Sequence, residues 1–437
     1  MLPQALPYQL KVRDYFKQQA STWEFFAAAH TREEQLVSFQ TELLKNTYQF
    51  RRGTDTALYD KIDLVREKLE LGALPVTAYQ AQNANDPELN ASIVYLHREA
   101  HLVFSGPILE RLNEAELLAV IAHELTHIRL YTLLDGDLEV ADRIITAIAN
   151  NYNSEPCYYE TARLFRLYTE IFCDRGAYAV LGDAGPVITS LVKLATGLSE
   201  VNAESYIKQA EEVFSVEPGT QSAMPTHPEN FIRARALKLW HEGQGLAEGL
   251  GREGGLRREG VLRSEGELRS EGVPGGERGP GAEESIVRMI EGKPELDRLD
   301  LFSQRELNDL TALFLQGYLR PKWLQSTLVM GLVREYFPGG IELGQDIDEG
   351  RLVDTITGAH PSIRDYFAYV LLDFVLADPS LEEMPAGRAF EFAGEMQLTA
   401  AYDPIYKKEL QLSDKKWQQH RQKVLDAYTH GNKPHLF

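Results

Sequence analysis

The sequence predicts a mostly helical α+β chain, in which a unit with a small sheet is followed by a flexible linker and an all-α C-terminal domain. Three observations predict this. Short runs at 75–80, 91–96 and 101–105 read as strands bounded by turn signals, while the long apolar segments around them repeat at helical spacing. After Gly243 the composition turns Gly-rich and charged, and residues 244–284 cannot bury enough apolar surface to fold alone. From 285 onward, segments rich in Leu, Phe and Tyr return at helical spacing. The expected organisation is an N-terminal helical segment at 1–54, a main unit at 55–243, the linker at 244–284 and a helical domain at 285–437.

In chain order, residues 9–48 read as helical, with Tyr15, Phe16, Trp23, Phe25 and Phe26 as an aromatic apolar side that calls for packing. A helix at 56–69 precedes the strand at 75–80, and Asn83-Ala84-Asn85-Asp86-Pro87 is a turn. The strands at 91–96 and 101–105 complete a small sheet. Helices follow at 107–135, 138–152 and 157–181, with a further helical stretch at 186–213. Three copies of a six-residue unit beginning at Leu256, Leu262 and Leu268 fill part of the linker, too few for a solenoid. The last domain reads as helices at 285–335 and 361–430, separated by Pro338-Gly339-Gly340 and an acidic turn at 346–350.

The chemistry concentrates in His123-Glu124-Leu125-Thr126-His127, a His-Glu-x-x-His within an apolar helical run. Four residues on a helix bring the two imidazoles onto one face one turn apart, where both can meet a single cation. Neutral imidazole is a good zinc ligand, and the Glu beside the first His can accept the proton of a water that the metal activates. Asn113 and Glu116 form a capping-box start, and Leu134-Asp135-Gly136-Asp137 a stop. A second amphipathic helix at 163–177 carries Glu170 and Asp174, again four apart. Glu170 can complete a His2Glu set, and Asp174 can accept the outer N–H of a ligand His and so fix its tautomer. The alternative for both is a solvated helix face. His97 and His101 are expected as surface or hairpin residues. Cys173 is expected as a small core residue, carried by helical rotation off the face of the two acids.

These motifs together resemble the HtpX and CAAX-prenyl-protease family of gluzincin zinc metallopeptidases, whose pattern is His-Glu-x-x-His followed by Glu-x-x-x-Asp. The similarity extends over about residues 55–240. Asn90–Leu96 and His101–Gly106 resemble the family's two strands ahead of the active-site helix, and Pro107–Leu112 its short intervening helix. Thr226-His227-Pro228, followed by Arg233, resembles its Thr-His-Pro…Arg segment. The resemblance implies a zinc-dependent endopeptidase of gluzincin type with one Zn2+ per chain, held by His123, His127 and Glu170. Glu124 would be the general base and Asp174 the partner of a ligand His. His227 would be the donor to the transition-state oxyanion, and Arg233 would pair with Asp174 or steady the site. It also implies that the backbone of 91–96 pairs with an extended peptide or unfolded-protein substrate. Two departures stand out: the best-known members span membranes several times, and a second His-Pro-x-x-Arg at His360–Arg364 competes for the downstream role.

Bulk properties narrow the function further. Lys+Arg 45 against Asp+Glu 65 leaves a net charge of −20, which argues against nucleic acid or an anionic membrane as partner. The N-terminus lacks the basic and apolar regions of a secretory signal, and the apolar run at 368–377 is short and carries Asp373, so no transmembrane segment is expected. Two cysteines, Cys157 and Cys173, suit a reducing compartment, and the cytoplasm is the expected location. The competing reading is a zinc-bearing but inactive scaffold whose C-terminal helical domain binds a protein partner or recruits substrate.

Overall fold

The computed structural model describes residues 2–28, 33–82, 89–96, 99–255, 281–344 and 347–430, leaving aside the side chains of 33–36 and 244–255. The chain divides into two compact units, the first comprising Met1–Ser154 and Thr161–Gly292 and the second Glu155–Glu160 and Lys293–Phe437.

The first unit begins with α1 (Pro7–Lys17), α2 (Ala20–Ala28) and α3 (Glu33–Asn46). These helices belong to the same compact unit as the motif helices, whereas the sequence set 1–54 apart. Tyr8, Val12 and Phe16 of α1 are buried, and Tyr8 stacks on Tyr168 at 5.1 Å, but of the expected aromatic side only Phe16 is buried: α2 buries no residue and Phe25 is 68% exposed. Then come β1 (Thr47–Gln49), α4 (Thr56–Lys68), β2 (Val76–Ala81), β3 (Asn90–Leu96) and β4 (Glu99–Ser105). The sheet order is β1-β2-β4-β3, with β2 parallel to β4 (Thr77 opposite His101) and β3 antiparallel to β4 (Val94 opposite His101). Strand β1 is a finding against the expected helix over 9–48; three residues are too few to show a period of two. It pairs with β2 at one edge, which leaves β3 as the opposite edge.

Helices α5 (Ile108–Arg111), α6 (Glu114–Thr132), α7 (Asp137–Ala149), α8 (Pro156–Leu181), α9 (Ala184–Thr196) and α10 (Ala203–Val216) follow. Asn113 caps α6 by accepting from the Glu116 N–H at 3.0 Å while Glu116 accepts from the Asn113 N–H at 2.9 Å, so the expected helix 107–135 starts anew at this box. It stops where Leu134, Asp135 and Gly136 all take positive φ. The stretch 186–213 is likewise two helices, because Gly197 ends α9 in the left-handed conformation at φ 72°.

Two further helices complete the unit, α11 (Asn230–Gly255) and α12 (Ala282–Ile290). Their extents correct the ends of the expected linker, since helical backbone continues through Gly255 and resumes at Ala282; the repeats lie outside the described residues. One segment, Glu114–Ala149, is long and apolar enough to cross a membrane by length and composition alone, and half of its apolar window is buried inside the protein. It also holds Glu116 in a buried ion pair with Lys193 at 2.8 Å, as befits a core helix.

The second unit is all helical among the described residues beyond Lys293, with α13 (Leu301–Tyr318), α14 (Thr327–Tyr336), α15 (Glu349–Gly358), α16 (Pro361–Leu376), α17 (Met384–Glu395), α18 (Thr399–Glu409) and α19 (Asp414–His430) joined by short turns. Its core is aromatic, with Phe314, Tyr318, Phe367, Phe374 and Tyr402 fully buried. An apolar cavity of about 810 Å³ lies among Leu307, Leu310, Ile347, Leu352, His360 and Ile363.

Candidate metal centre

Helices α6 and α8 approach closely because α8 has no side chain at the crossing. A Cβ placed on Gly176 would stand 2.3 Å from the side chain of Thr126, which is fully buried on α6. This contact brings the acids of α8 onto the histidines of α6. The His123 and His127 rings stand edge to face at 5.2 Å. Glu170 Oε2 lies 3.4 Å from His123 Nε2, and Glu170 Oε1 lies 3.6 Å from His127 Nε2. One carboxylate thus faces both imidazoles through their outer nitrogens, and the solvated alternative for the acids falls away because Glu170 and Asp174 are both buried.

Asp174, Arg233 and His227 of the expected set join this cluster. His123 Nδ1 is 3.0 Å from Asp174 Oδ1. Arg233, from the first turn of α11, donates to both Asp174 oxygens, Nε to Oδ2 at 2.8 Å and Nη2 to Oδ1 at 2.7 Å, and lies 3.4 Å from Glu170 Oε2. His227, in the segment ahead of α11, places Nδ1 3.0 Å from Glu170 Oε2 while most of its side chain stays exposed. The chain before α11 therefore reaches the mouth of the site, and α11 its floor.

The charges follow from burial and partners. Burial alone would raise the Glu170 carboxyl, but Arg233, His123 and His227 hold it well below the ordinary range. Asp174 is lowered in the same way, burial being outweighed by Arg233 and then His123. Burial would lower His123, yet its bonds to Asp174 and Glu170 raise it to about 10, so two carboxylates favour positive charge at this point. His127, lowered to about 4 chiefly by burial, is neutral, with one ring nitrogen's lone pair open to a cation. Glu124 is raised to about 7, first by burial and then by Glu170, which suits a group that exchanges a proton near neutrality.

Comparison with known proteins agrees with this geometry. Residues 60–138, which contain the His-Glu-x-x-His helix, match peptidase family M48. Over these residues the chain is similar to the M48 metallopeptidases, an HtpX-like gluzincin family. It is 26% identical over 196 residues to the plastoglobule-localized metallopeptidase 48, chloroplastic, of Arabidopsis thaliana, a match covering 39% of this chain and 56% of that protein. The chain thus spans little more than half of that relative's length. No solved structure matches it significantly. The family match ends at Leu138, so the cluster's residues on α8 and α11 stand on geometry.

Two expectations about neighbouring residues need correction. Cys173 is not turned away from the cluster: it is fully buried with Sγ within 4.8 Å of ring nitrogens of His123 and His127. Three residues past Glu170 is a net rotation of only about −60°, which keeps the sulfur beside the carboxylate. Burial and the neighbouring Glu170 and Asp174 push its thiol well above its ordinary value. His101 is not a surface residue either: it is 2% exposed on β4, with Nδ1 3.3 Å from the Tyr79 hydroxyl and its ring edge-on to Phe39. On β4 it alternates with the buried Ala100, Leu102 and Phe104 and shares the face of Glu99 and Val103, so its burial comes from Phe39 and Tyr79, which are distant in the chain. His97 lies outside the described residues. His360 caps α16 in the second unit, accepting from the Ser362 N–H at 3.3 Å.

Proposed function

We propose that the chain is a zinc-dependent endopeptidase, with one Zn2+ held by His123, His127 and Glu170. The observation that carries this is the convergence of both histidine Nε2 atoms on the two oxygens of one buried, ionised carboxylate. Two imidazoles and a carboxylate are the donor set that zinc takes in hydrolytic sites, so the residues fit the metal. When bound, zinc supplies Lewis-acid chemistry, making water acidic near neutrality and polarising a carbonyl. The protein's residues divide the rest. Glu124, placed beside His123 with a pKa near neutrality, takes the proton from the attacking water and passes it to the leaving amine. Asp174 holds Nδ1 of His123 and so aims Nε2 at the ligand position. Arg233 pins Asp174 bidentately. His227, at the exposed mouth, is the donor to the oxyanion of the transition state. Strand β3, an edge of the sheet among the described residues, offers its backbone to an extended peptide by strand addition.

The substrate class is peptide or unfolded protein, and the working compartment a reducing one such as the cytoplasm, since Cys157 and Cys173 are buried free thiols. We assign no nucleic-acid partner and no membrane span. The second unit, with its apolar cavity of about 810 Å³, is proposed to bind a protein partner or to recruit substrate. The test is metal analysis coupled to cleavage of unfolded casein by wild type and Glu124→Gln. Zinc in both with cleavage by wild type alone supports the endopeptidase. Zinc in both with cleavage by neither leaves the inactive scaffold.

A further inference from the structure

The metal-binding stripe of α8 has a back, and the back is held by α12, which the sequence alone divides between the linker ending at 284 and the helical domain beginning at 285. At about 100° per residue, Tyr168 and Arg175 lie two turns apart on nearly one line of α8, while Glu170 is turned some 200° from Tyr168. Tyr168 Oη donates to Glu291 Oε1 at 2.5 Å. Arg175 Nη2 donates to Glu283 Oε2 at 3.0 Å. Glu283 opens α12 and Glu291 closes it, so α12 runs antiparallel to α8 and ties it at both ends of the stretch holding Glu170 and Asp174. Arg175 is itself buried and lies over the Trp240 ring of α11 at 5.4 Å.

The same helix reaches the other two elements of the site. Ile286, Met289 and Ile290 are buried. Met289 Sδ accepts from Arg235 Nη1 at 3.5 Å, two residues from Arg233 on α11. The carbonyl of Met289 accepts from the Ser222 N–H at 2.8 Å, in the segment that leads to His227. Arg163 of α8 donates to the carbonyls of Ser222 and Met224 in that segment at 3.4 and 3.2 Å.

We infer that α12 is a positioning element of the catalytic centre, with Tyr168, Arg175, Glu283 and Glu291 as the positioning residues that set Glu170 and Asp174 against the two histidines. The low-complexity stretch is then an insertion within the peptidase unit and not the link between two domains. This rests on the reading that His123, His127 and Glu170 hold zinc. Loosening the back of α8 shifts a ligand and its supporting acid together, and displacements of a fraction of an ångström suffice to weaken a metal site.

The test uses the full chain and two paired variants, Glu283→Ala/Glu291→Ala, which removes both acceptors, and Glu283→Gln/Glu291→Gln, which keeps an acceptor oxygen at each. Zinc affinity by chelator competition, kcat and KM on an unfolded protein, and hydrogen exchange of the 161–181 peptide are measured for each. The alanine pair is expected to bind zinc about tenfold more weakly and to lose about tenfold in kcat, with KM within about twofold and faster exchange in α8. The glutamine pair is expected within about threefold of wild type. Wild-type zinc affinity and exchange in the alanine pair would overturn the inference, as would an equal loss in the glutamine pair. Should wild type hold no zinc, the metal reading fails, and the exchange measurement still decides whether α12 braces α8.

Discussion

Glu170 and Glu124 sit in the same cluster with opposite protonation tendencies, and that difference defines two experiments. Against burial, the Arg233 guanidinium and the hydrogen bonds of His123 and His227 keep Glu170 ionised, so it is available as a ligand. Zinc content is expected near one per chain, lost in His123→Ala, His127→Ala and Glu170→Ala and retained in Glu124→Gln, by elemental analysis. Glu124→Gln is expected to lower kcat by about 10²- to 10⁴-fold at unchanged metal content. Cys173→Ala is expected to leave zinc content unchanged; metal lost with the thiol would instead make the sulfur a ligand. Of the two His-Pro segments, His227 stands in the cluster while His360 caps a helix of the second unit. His227→Ala should therefore cost about a hundredfold in kcat with zinc retained, and His360→Ala should change little.

At the scale of elements, the site depends on the separation of α6 and α8. Gly176→Ala forces its Cβ into Thr126, which cannot withdraw because it is fully buried and its Oγ1 is bonded to the Ala122 carbonyl at 2.6 Å. Overpacking of this kind costs about 1–3 kcal/mol, and the helices should move apart enough to weaken zinc binding about tenfold, as chelator competition would show. The start of α6 is fixed by another contact, the buried Glu116–Lys193 pair. Burial would raise the Glu116 carboxyl, but Lys193 and the Asn113 N–H outweigh it and the net shift is downward. A carboxyl depressed in the folded state stabilises fully above its unfolded pKa and loses that contribution as pH falls through the folded one. Glu116→Gln should therefore destabilise by about 3 kcal/mol at neutral pH, and the gap to wild type should close below about pH 4, measured by urea unfolding.

Over the whole molecule, composition alone ends the main unit at 243, whereas the compact unit ends at Gly292. A chain ending at Gly292 is expected to hold zinc as the full protein does, while one ending at 243 should bind it at least about tenfold more weakly. Equal affinity in the two would restore the earlier boundary. The sequence by itself determined the His-Glu-x-x-His helix with its cap and stop, the acids four apart on the next long helix, and the predominance of helix. Each is written in neighbours a few residues apart, where helical periodicity and capping chemistry are local. It also singled out His227 and Arg233, through the resemblance. What only the tertiary structure decided was pairing over long separations. The order of the sheet, the burial of His101, the sulfur of Cys173 beside the histidines, the α6–α8 crossing at Gly176 and the return of α12 across the insertion are all of this kind. None of these leaves a periodic trace in the chain, because each depends on which surfaces meet after the helices have formed.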